Sequence, residues 1–475
     1  MRLYKVGGYV RDRALGLEPE DIDYVVTGAT NERMIELGFI PVGKDFPIFI
    51  DPKTRSEMAL ARLGDDLENI TIEQDLSRRD LTINAMAIDE DGSIIDPFGG
   101  LDDIKNKRLK HIDGSFESDP LRIVRLARFK AKYDGFEIAS ETIEHCHNLI
   151  NSGLLDDPQK DRLYREFSKG ILLPEPQKFI DALSEVGALK ALFPVIEKMK
   201  GVPQNPVYHA EGCVYTHTLM VLQKSAYLSA RLAPEDKIAV RMAALFHDVG
   251  KTTTPDELLY DANGKVLGKH HGHEDKEVVL PLLKEIKQKM TMPKAVYYNI
   301  EHTAINHLRV HRVNQTKGAS FVNMANSMGL ASKTNNGRNM QVVDNFLLAC
   351  KADALGRKLL VDGEEVEPSA SYPQMKRFKL YLKEYLDSEK IVSEWIQSKQ
   401  KENGATPDIE SIKSYRDGTR KGRISRLRRR LGWITHTQQN NSEKTLFLNQ
   451  KRPHSSMRSF FTFLSLGNKS IYKIA

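Results

Sequence analysis

The chain has 475 residues, which is enough for about three domains of ~150 residues each. Apolar residues make up 40% of the chain and charged residues 28%, so a wholly disordered or fibrous protein is excluded. We predict no membrane span, because no run of ~18 apolar residues is free of charge. The start, MRLYKVGGYVRD, does not resemble a secretory signal, and three scattered cysteines fit a reducing compartment. We therefore expect a cytoplasmic protein.

The net charge of +6 is distributed unevenly along the chain. Residues 413–430 contain nine lysines and arginines against one aspartate, a local charge of +8, and residues 431–475 are also basic. Residues 1–412 are therefore net acidic, so any surface within them that binds phosphate has to be local. The basic segment has two interpretations, a surface for the nucleic-acid backbone or a solvated tail.

Short apolar segments separated by turn residues dominate residues 1–110. LYKVGGYVRDRALG predicts a turn that opens a helix, and strands are predicted for DIDYVVTG, FPIFIDP, SEMALARL and INAMAID. Beyond this region the apolar residues recur at the helical spacing i, i+3, i+4, with a Pro/Gly/Asn linker at 201–209 and a second helical block over 214–360. Residues 436–475 have the composition of a disordered tail. Strands followed by helices predict an α+β fold.

Asp21 and Asp23 begin an apolar strand, DIDYVV. Residues two apart in a strand point to the same face, so the two carboxylates converge and offer the oxygen ligands that Mg²⁺ prefers. A metal pair held there can stabilise the attacking and leaving oxygens of phosphoryl transfer. The Asp-x-Asp pattern alone is common, and an ordinary exposed strand end is the alternative.

A glycine pair, Gly7 and Gly8, precedes these aspartates. Glycines let a phosphate approach the backbone closely, and Arg11, one helical turn further on, can bind the same anion. A Gly-Gly turn made for packing is the simpler interpretation of the glycines in isolation. Together with Arg11 and the Asp-x-Asp pattern, the pair indicates a site for nucleotide phosphates.

The segment VGGYVRDRALGLEPEDIDYVV resembles the signature of class II tRNA nucleotidyltransferases, the CCA-adding enzymes of the polymerase-β-like superfamily. Further matches follow in the same order: VGKDFPIFIDP (42–52), SEMALAR (56–62), DLSRRDLTINAMAID (75–89), IIDPFGGLDDI (94–104) and SDPLRIVRLARF (118–129). The resemblance extends over residues 1–360 and is greatest to the bacterial type with an HD domain. It implies a small N-terminal head built on a mixed β-sheet, then an all-α neck and body, then an all-α HD domain.

The resemblance also implies roles for individual residues. Asp21 and Asp23 would hold Mg²⁺, and Gly8 and Arg11 would contact the triphosphate. The arginines that would contact the nucleotide are Arg79, Arg125 and Arg128. Glu57 is a candidate third acidic residue on a neighbouring strand. For the arginines of LRIVRLARF, a solvated helix stripe is the alternative.

Base selection can be argued from chemistry. Cytosine and adenine each present an exocyclic amine donor beside a ring-nitrogen acceptor, which an aspartate and an arginine complement. Asp119 and Arg122 are three residues apart, so on a helix they share a face and would accept C and A while rejecting G and U. The family pattern is Glu-Asp-x-x-Arg, and this chain has Ser118 where the glutamate is expected. The segment 64–74 is also shorter than in the bacterial enzymes, in a region whose loops shape the active site.

A second group of chemical side chains lies in the helical block 214–360. His217 opens one helix, and His247 and Asp248 are adjacent within an apolar segment, where a buried carboxylate needs a partner. With the later Asp353 they form a mixed nitrogen and oxygen set that suits a divalent transition metal such as Ni²⁺. The set resembles the H…HD…D pattern of HD phosphohydrolases, in which a metal-activated water attacks a phosphoester. A lone histidine is more often a core or surface residue than a ligand.

Basic residues beside this set are candidates for contacting a substrate. Lys251 is placed to hold a phosphate. His270, His271 and His273, in KHHGHED, lie where related enzymes carry a similar HHGH segment. This resemblance makes them candidates for contacting the substrate phosphate or a second metal, with an ordinary surface loop as the alternative.

The leading hypothesis is an enzyme that builds or repairs the CCA end of tRNA without a template, with tRNA, CTP and ATP as partners. The resemblance adds phosphatase, 2′-nucleotidase and 2′,3′-cyclic phosphodiesterase activities in the HD domain. The alternatives are a bacterial poly(A) polymerase, an HD phosphohydrolase whose head only binds RNA, and a degenerate protein with a scrambled C-terminus. We expect a monomer or a weak homo-oligomer.

The hypothesis also predicts domain boundaries. The head would occupy residues 1–113 and a helical neck that selects the base and binds RNA would occupy 114–200. The HD domain would span 210–360, and a basic helical region would span 361–435.

Overall fold

The computed structural model describes residues 1–42, 48–61, 70–330, 338–403 and 406–449. Contacts between Cα atoms divide the chain into two compact units. The first comprises residues 1–316 and 323–382, and the second comprises residues 317–322 and the chain from 383 onwards. Part of the motif VGKDFPIFIDP (residues 43–47) and most of the short segment before DLSRRD (residues 62–69) lie outside the described residues.

A mixed sheet forms the N-terminal part of the first unit. Its strands are β1 (Arg2–Val6), β2 (Asp23–Thr27), β3 (Ile40–Val42), β4 (Ile48–Ile50), β5 (Glu57–Leu60), β6 (Ala87–Ile88) and β7 (Ile94–Ile95). They are ordered β3-β4-β5-β2-β1-β6-β7. Strands β2 and β5 are parallel, and every other neighbouring pair is antiparallel. The predicted mixed sheet of an α+β fold is confirmed.

Both faces of the sheet are covered, because alternate residues of its strands point to opposite sides. Val25 packs in one cluster with Tyr4 and Val6, whereas the adjacent Val26 packs in another with Phe49. Burial of each such side chain stabilises the fold by about 1.5–3 kcal/mol. The alternation therefore fixes the register of β2, the strand that begins at Asp23.

Two segments differ from the sequence prediction. RLYKV is a strand, β1, although the sequence pattern there predicts a turn that opens a helix. INAMAID is predicted to be a strand, but Thr82–Asn84 form a 3₁₀ turn and only β6 is extended. The cause is local: the Asp80 carboxylate accepts hydrogen bonds from the backbone N–H of Leu81 and from the Asn84 side chain, which competes with strand pairing.

Short helices flank the sheet, and longer ones follow it. In the N-terminal region they are α1 (Gly8–Ala14), α2 (Asn31–Glu36), α3 (Ile72–Ser77) and α4 (Gly100–Lys105). The next helices are α5 (Leu121–Lys132), α6 (Ser140–Asn151), α7 (Lys160–Ile171), α8 (Pro176–Glu185), α9 (Ala188–Leu192) and α10 (Pro194–Glu197). The short strands β8 (Arg108–Leu109) and β9 (Glu137–Ile138) pair in parallel. Phe167 packs edge-on against Phe179 and Phe193, with ring centroids 5.4 and 5.0 Å apart, and so joins α7 to α8 and to the end of α9.

The helical block predicted after residue 214 is confirmed. It comprises α11 (Val214–Leu228), α12 (Pro234–Phe246), α13 (Asp256–Leu259), α14 (Lys276–Lys289), α15 (Lys294–His311), α16 (Gly318–Ser327) and α17 (Arg338–Leu355). A hairpin of β10 (Leu359–Val361) and β11 (Glu364–Val366) follows. Residues 238–246 of α12 are all buried, so this helix is the centre of the block. Helix α12 ends immediately before the His-Asp pair and therefore holds that pair inside the protein.

Two long helices, α18 (Pro373–Asn403) and α19 (Ile409–Asn449), complete the described chain. Within the second unit they pack through Trp395 and Tyr415, whose rings stack with centroids 4.3 Å apart. Residues 436–449 have helical backbone where the sequence predicts a disordered tail. The remainder of that tail, residues 450–475, lies outside the described residues. Among the described helices, none combines the length and the hydropathy that crossing a bilayer requires.

Two candidate active sites

The first candidate site is a cavity of about 580 Å³ beside the start of β2. Its walls are formed by the glycine turn before α1, the segment after α3, helix α5 along its whole length, and α7. Its lining residues are Gly7, Gly8, Arg11, Asp23, Arg78, Arg79, Asp80, Asn84, Asp119, Arg122, Arg125, Arg128, Phe129, Lys132, Arg162 and Glu166. Eight of these side chains are basic and four are acidic, so the cavity is net positive and suits a polyanion such as a nucleoside triphosphate.

The turn into α1 requires glycine at its first position. Gly7 has φ +62°, which L side chains rarely adopt, and a Cβ there would lie 2.7 Å from Nη1 of Arg79. Gly8 lines the cavity without this constraint. A side chain at residue 7 would displace Arg79, one of the residues predicted to contact the nucleotide.

Acidic residues lie where β2 and β5 begin. Asp23 is paired in register with Glu57 across the parallel strands, and Asp21 lies two residues before Asp23, exposed to solvent. Among the predicted acidic residues, Asp23 lines the cavity and Asp21 and Glu57 are outside its lining. Exposed carboxylates at a strand end suit Mg²⁺, which keeps several of its waters when bound. The chemistry of these donors fits the expected ion, but among the described residues Asp21, Asp23 and Glu57 do not bring their oxygens within 4.8 Å of one another.

The side chain of Arg11 is held in place by several contacts. The sequence indicated a role for Arg11 only because it lies close to the two glycines. Its side chain is buried, and Nη1 donates to Oδ1 of Asn84 at 2.6 Å while Nε donates to Asp12 at 2.8 Å. The guanidinium also lies over the Phe129 and Tyr133 rings. Arg11 is thus fixed by residues that follow it by more than 70 positions, which the sequence analysis did not identify.

Asp80 anchors the middle arginine of α5. Its Oδ2 accepts from Nε of Arg125 at 2.8 Å and lies 2.8 Å from Nη2. Burial opposes ionisation of Asp80, but the attraction of Arg125 outweighs it and lowers the pKa of Asp80. The solvated-stripe interpretation of these arginines is therefore wrong for Arg125.

Two other arginines that line the cavity, Arg79 and Arg122, have N–H groups that can still bind an anion. Among the described residues, Arg79 Nε and Arg122 Nη1 are buried without a hydrogen-bond partner. Burial lowers the pKa of Arg122 and of Arg128. A buried guanidinium donor without an acceptor is costly, and a bound anion would remove that cost.

Asp119 and Arg122 line the same cavity, and each is held by a residue distant in sequence. Oδ2 of Asp119 accepts from Nη2 of Arg162 at 2.6 Å, and Oδ1 accepts from the backbone N–H of Leu121. Nη2 of Arg122 donates to the carbonyl of Arg78 at 2.7 Å. Ser118, which replaces the family glutamate, donates to the Ser115 carbonyl. Arg162 therefore orients Asp119 in this chain, a contact that the sequence analysis missed.

The second candidate site is the His-Asp cluster, and it is enclosed. The four predicted ligands converge: Nε2 of His247 lies 3.0 Å from Oδ2 of Asp248 and 3.6 Å from Oδ1 of Asp353, and Nε2 of His217 lies 3.2 Å from the same Asp353 oxygen. All four residues are less than a tenth exposed. Helices α11 and α17 and the turn that follows α12 supply them, so residues 136 positions apart share one site.

The orientation of these histidines fits a metal. Nδ1 of His217 lies 2.8 Å from Oε1 of Glu211, and Nδ1 of His247 lies 2.8 Å from the Ala244 carbonyl. An acceptor beside Nδ1 places the proton there and leaves the lone pair on Nε2, the atom that faces the carboxylates. Among the described atoms, Oδ1 of Asp248 and Nε2 of His247 have no hydrogen-bond partner, whereas Oδ2 of Asp248 is paired with Lys251. A divalent ion would satisfy these groups.

The charges of the carboxylates are also set by their neighbours. Burial opposes ionisation of Asp248, but His247 and Lys251 hold the pKa of Asp248 well below its usual range. Nζ of Lys251 forms an ion pair with Oδ2 of Asp248 at 2.7 Å. Burial likewise opposes ionisation of Asp353, and its pKa is held well below the usual range by His247 and His311. Both acids are thus available as anionic ligands.

The three histidines of the KHHGHED segment lie in three different environments. His273 is buried and reaches the cluster, with Nε2 3.2 Å from Oδ1 of Asp248. His270 lies 2.7 Å from the Thr254 hydroxyl and 3.0 Å from the Pro203 carbonyl, and burial lowers its pKa to about 4. His271 is exposed. The surface-loop interpretation therefore fails for His273 and holds for His271.

Further residues of the cluster escaped the sequence analysis. His307 and His311 lie on α15 four residues apart, which places both on one face. Nε2 of His311 lies 2.6 Å from Oδ2 of Asp353, and burial lowers the pKa of His307 to about 3. The His-x₃-His spacing in NHLRVH was the available signal. No spacing pointed to Glu211, the residue beside His217.

Three parts of the chain match family models. Residues 46–110 match the poly A polymerase head domain, residues 135–200 match the probable RNA- and SrmB-binding site of polymerase A, and residues 214–346 match the HD domain. The chain thus combines a head of the poly A polymerase type, a segment similar to the probable RNA-binding site of that polymerase, and an HD domain.

Similarity to curated proteins identifies the family within this class. The multifunctional CCA protein of Neisseria meningitidis serogroup B is 42% identical over 369 residues, which is 75% of this chain and 83% of the relative. The multifunctional CCA protein of Halorhodospira halophila is 38% identical over 371 residues, 75% of this chain and 84% of the relative. The chain therefore belongs to the family of bacterial multifunctional CCA proteins, and the resemblance noted in the sequence is confirmed.

Solved structures share the fold at lower identity. A CCA-adding enzyme in complex with ATP aligns with a TM-score of 0.55 and 20% identity, covering 89% of this chain and 86% of that one. The apo form I of a CCA-adding enzyme aligns with a TM-score of 0.53 and 22% identity, covering 87% and 89%. The expected fold class is confirmed.

Proposed function

We propose that this chain completes and repairs the 3′-terminal CCA of tRNA by adding CMP and AMP from CTP and ATP without a template. One observation carries the proposal: a single cavity joins the glycine turn and Asp23 to the pair Asp119 and Arg122. The first pair suits a triphosphate and the second suits the base. The related multifunctional CCA proteins support the same product.

The chemistry is a nucleotidyl transfer. The 3′-hydroxyl of tRNA loses its proton to solvent as its oxygen bonds to the α-phosphorus, the bond from that phosphorus to the β-phosphate oxygen breaks, and pyrophosphate leaves. Asp21 and Asp23 would hold Mg²⁺, which when bound supplies charge stabilisation at the attacking and leaving oxygens. Gly8 admits the triphosphate to the backbone, and Arg11 and Arg79 bind its oxygens.

Base selection uses one acceptor and one donor. Asp119 accepts from the exocyclic amine of cytosine or adenine, and Nη1 of Arg122 donates to the ring nitrogen beside it. Guanine and uracil present the opposite pattern, which would leave both groups unpaired. Arg162 holds Asp119 in the position for this contact.

We also propose a phosphohydrolase activity for the HD cluster, with 2′,3′-cyclic phosphates and terminal phosphates of RNA as the substrate class. A water oxygen bonds to phosphorus, the ester bond to the ribose oxygen breaks, and that oxygen leaves with a proton. A divalent ion held by His217, His247, Asp248 and Asp353 would lower the pKa of a water and polarise the phosphate. Lys251 lies beside Asp248 and would contact the phosphate.

The transferase proposal is tested with tRNA that lacks CCA, incubated with CTP and ATP separately and together and resolved on a sequencing gel. We expect two additions with CTP alone, three with both nucleotides, and termination there. Long homopolymers of A from ATP alone would instead identify a poly(A) polymerase.

The hydrolase proposal is tested with an RNA that ends in a 2′,3′-cyclic phosphate, with added Ni²⁺ or Mn²⁺. We expect conversion to the phosphomonoester, which a chelator prevents. Failure to hydrolyse cyclic and terminal phosphates with every divalent ion would overturn this part alone.

A further inference from the structure

Arg241 is a buried arginine of α12 that neither candidate site uses. Its Nη1 donates to the carbonyls of Ile171 and Leu173 at 2.8 and 2.9 Å. Its Nη2 donates to the Ala226 carbonyl at 3.3 Å, and its Nε donates to the Ser229 hydroxyl at 3.1 Å. Burying a cation is costly unless its donors are satisfied, and burial lowers the pKa of Arg241. Four neutral oxygens from two segments of the chain satisfy the guanidinium here.

The carbonyls that Arg241 binds lie at the C-terminal ends of two helices. Ile171 is the last residue of α7, and Ala226 lies in the last turn of α11. The last carbonyls of a helix have no partner within it and carry partial negative charge, so a guanidinium both satisfies and attracts them. Arg241 therefore ties the end of α7 to α11 and α12.

The other half of α7 faces the nucleotide cavity, where Arg162 and Glu166 are lining residues. Arg162 holds Asp119 through a hydrogen bond of 2.6 Å. Oε1 of Glu166 lies 3.7 Å from Nη1 of Arg125, and its Oε2 lies 3.5 Å from Nε of Arg128. Helix α7 thus helps to set the positions of one acid and two arginines that line the cavity.

Helix α7 has only 12 residues and can transmit a displacement as one rigid element. Arg162 and Ile171 are nine residues apart in the chain. This separation corresponds to about 14 Å along a helix, so a shift at the C-terminal end also moves the half that faces the cavity. The helix has little room near that end, because a Cβ at Gly170 would lie 2.3 Å from the Phe179 ring of α8. The contact at Ile171 therefore helps to determine where Arg162 places its guanidinium.

We propose that Arg241 is a positioning residue for nucleotide selection in the head. By holding the end of α7, it keeps Arg162 in place against Asp119, the acid that accepts from the base. Helix α12 belongs to the helical block that begins at residue 214, so that block takes part in selecting CTP and ATP over UTP and GTP. The inference rests on the proposed transferase function and assigns part of its selectivity to a residue outside the nucleotide cavity.

The test measures kcat/KM for CTP and for UTP with the full chain and tRNA that lacks CCA, and compares the ratio of the two values. An inactive fraction of the protein lowers both values equally, so the ratio reports the position of Asp119 and not the amount of folded enzyme. Arg241→Met should lower the ratio by about fivefold or more, and Arg241→Lys should recover part of this loss. Arg241→Gln should act in the same direction with less disturbance of packing, which covers the case in which Arg241→Met does not fold.

A double variant tests whether Arg241 acts through Arg162. The ratio for Arg241→Met combined with Arg162→Ala should equal that of Arg162→Ala alone within about twofold, because two changes along one path do not add. A further fall in the double variant overturns the action through Arg162.

The matched control is Arg231→Met. Arg231 is exposed in the turn between α11 and α12, so its replacement should leave the ratio unchanged. A parent that prefers CTP, with the same ratio in Arg241→Met and Arg241→Gln, overturns the inference and leaves the transferase proposal intact. A parent that adds no CMP overturns both. An equal fall of the ratio in Arg231→Met overturns the assignment to the contact between Arg241 and α7.

Discussion

The two candidate sites differ in their exposure to solvent and in their charge. The cavity of the head is open, net positive and built largely from arginines, some of which keep unsatisfied donors. The HD cluster is enclosed, and its histidines are each fixed by an acceptor at Nδ1. A large polyanion that enters and leaves needs an accessible surface of positive charge. A resident metal ion needs few ligands that cannot turn away, and burial with fixed hydrogen bonds provides that.

The largest expected effect separates the two sites completely. Asp23→Ala should lower nucleotide addition more than about 10³-fold, because several kcal/mol of transition-state stabilisation depend on the metal ligand. Hydrolysis of a 2′,3′-cyclic phosphate should be unchanged. Both rates are measured on the same preparation, with Glu18→Ala, an exposed acid before β2, as the control. CMP addition at the parental rate in Asp23→Ala would contradict the assignment of the head.

The reciprocal change is Asp248→Asn. It keeps the shape of the side chain but removes the charge that the HD metal requires, so hydrolysis should fall below detection while CCA addition persists. His271→Ala, which alters an exposed residue near the same site, is the control and should leave both rates intact. Equal hydrolysis by Asp248→Asn and the parent would refute the HD assignment.

A smaller effect tests how the base-selecting pair is held. Arg162→Ala removes a charged hydrogen bond to Asp119, worth about 1.5–3 kcal/mol. The kcat/KM for CTP and for ATP should fall by about tenfold or more, incorporation of UTP should rise, and Arg162→Lys should recover part of the loss. Arg165→Ala, exposed on the same helix, is the control. Unaltered selectivity in Arg162→Ala would mean that Asp119 is positioned by its backbone alone.

Stability should respond to pH through Asp80. Its pKa is lowered in the folded state, so its pair with Arg125 contributes stability that is present above its unfolded pKa of ~3.9 and is lost as pH falls through the folded pKa. Asp80→Asn should cost about 3 kcal/mol at neutral pH and progressively less below about pH 4. The difference in stability between the parent and Asp80→Asn is measured by thermal unfolding at neutral pH and again below about pH 4. The variant Asp102→Asn, at an exposed position, is the control. A pH-independent difference would argue against the ion pair as the cause.

The smallest effect concerns exposed arginines of α19. Arg426, Arg429 and Arg430 on α19 are exposed, and replacing all three with alanine should reduce the salt slope of log K for tRNA by about 0.7–0.9 for each phosphate that these side chains neutralise. Arg420 differs, because it is buried, lies over the Tyr385 ring and pairs with Glu389 at 2.8 Å. Arg420→Ala should lower stability instead. An unchanged slope in the triple variant would favour the solvated-tail interpretation.

Local sequence patterns were sufficient to predict a site where its functional residues lie close together in the chain. Gly7, Gly8 and Arg11 lie within one turn, so their closeness in the chain brings them to one site. Asp119 and Arg122 line one cavity, but Asp119 precedes α5, which begins at Leu121, so the predicted common helix face is wrong. The His-Asp pair was also recognisable, since an acid in an apolar segment requires a partner. The strand β1 was missed, because its five residues run directly into the glycine turn.

Tertiary structure decided the contacts between distant residues. Asn84 holds Arg11, Arg162 holds Asp119, and Glu211 fixes the tautomer of His217. The spacing of these residues in the sequence does not reveal their roles. A hydrogen bond between distant parts of the chain depends on how the fold packs and not on separation in sequence. The same is true of Asp248, His273 and His307, which come from three separate parts of the chain and lie together in the HD cluster. The sequence by itself determined which chemistry is present, and the packing of helices decided which atoms face one another.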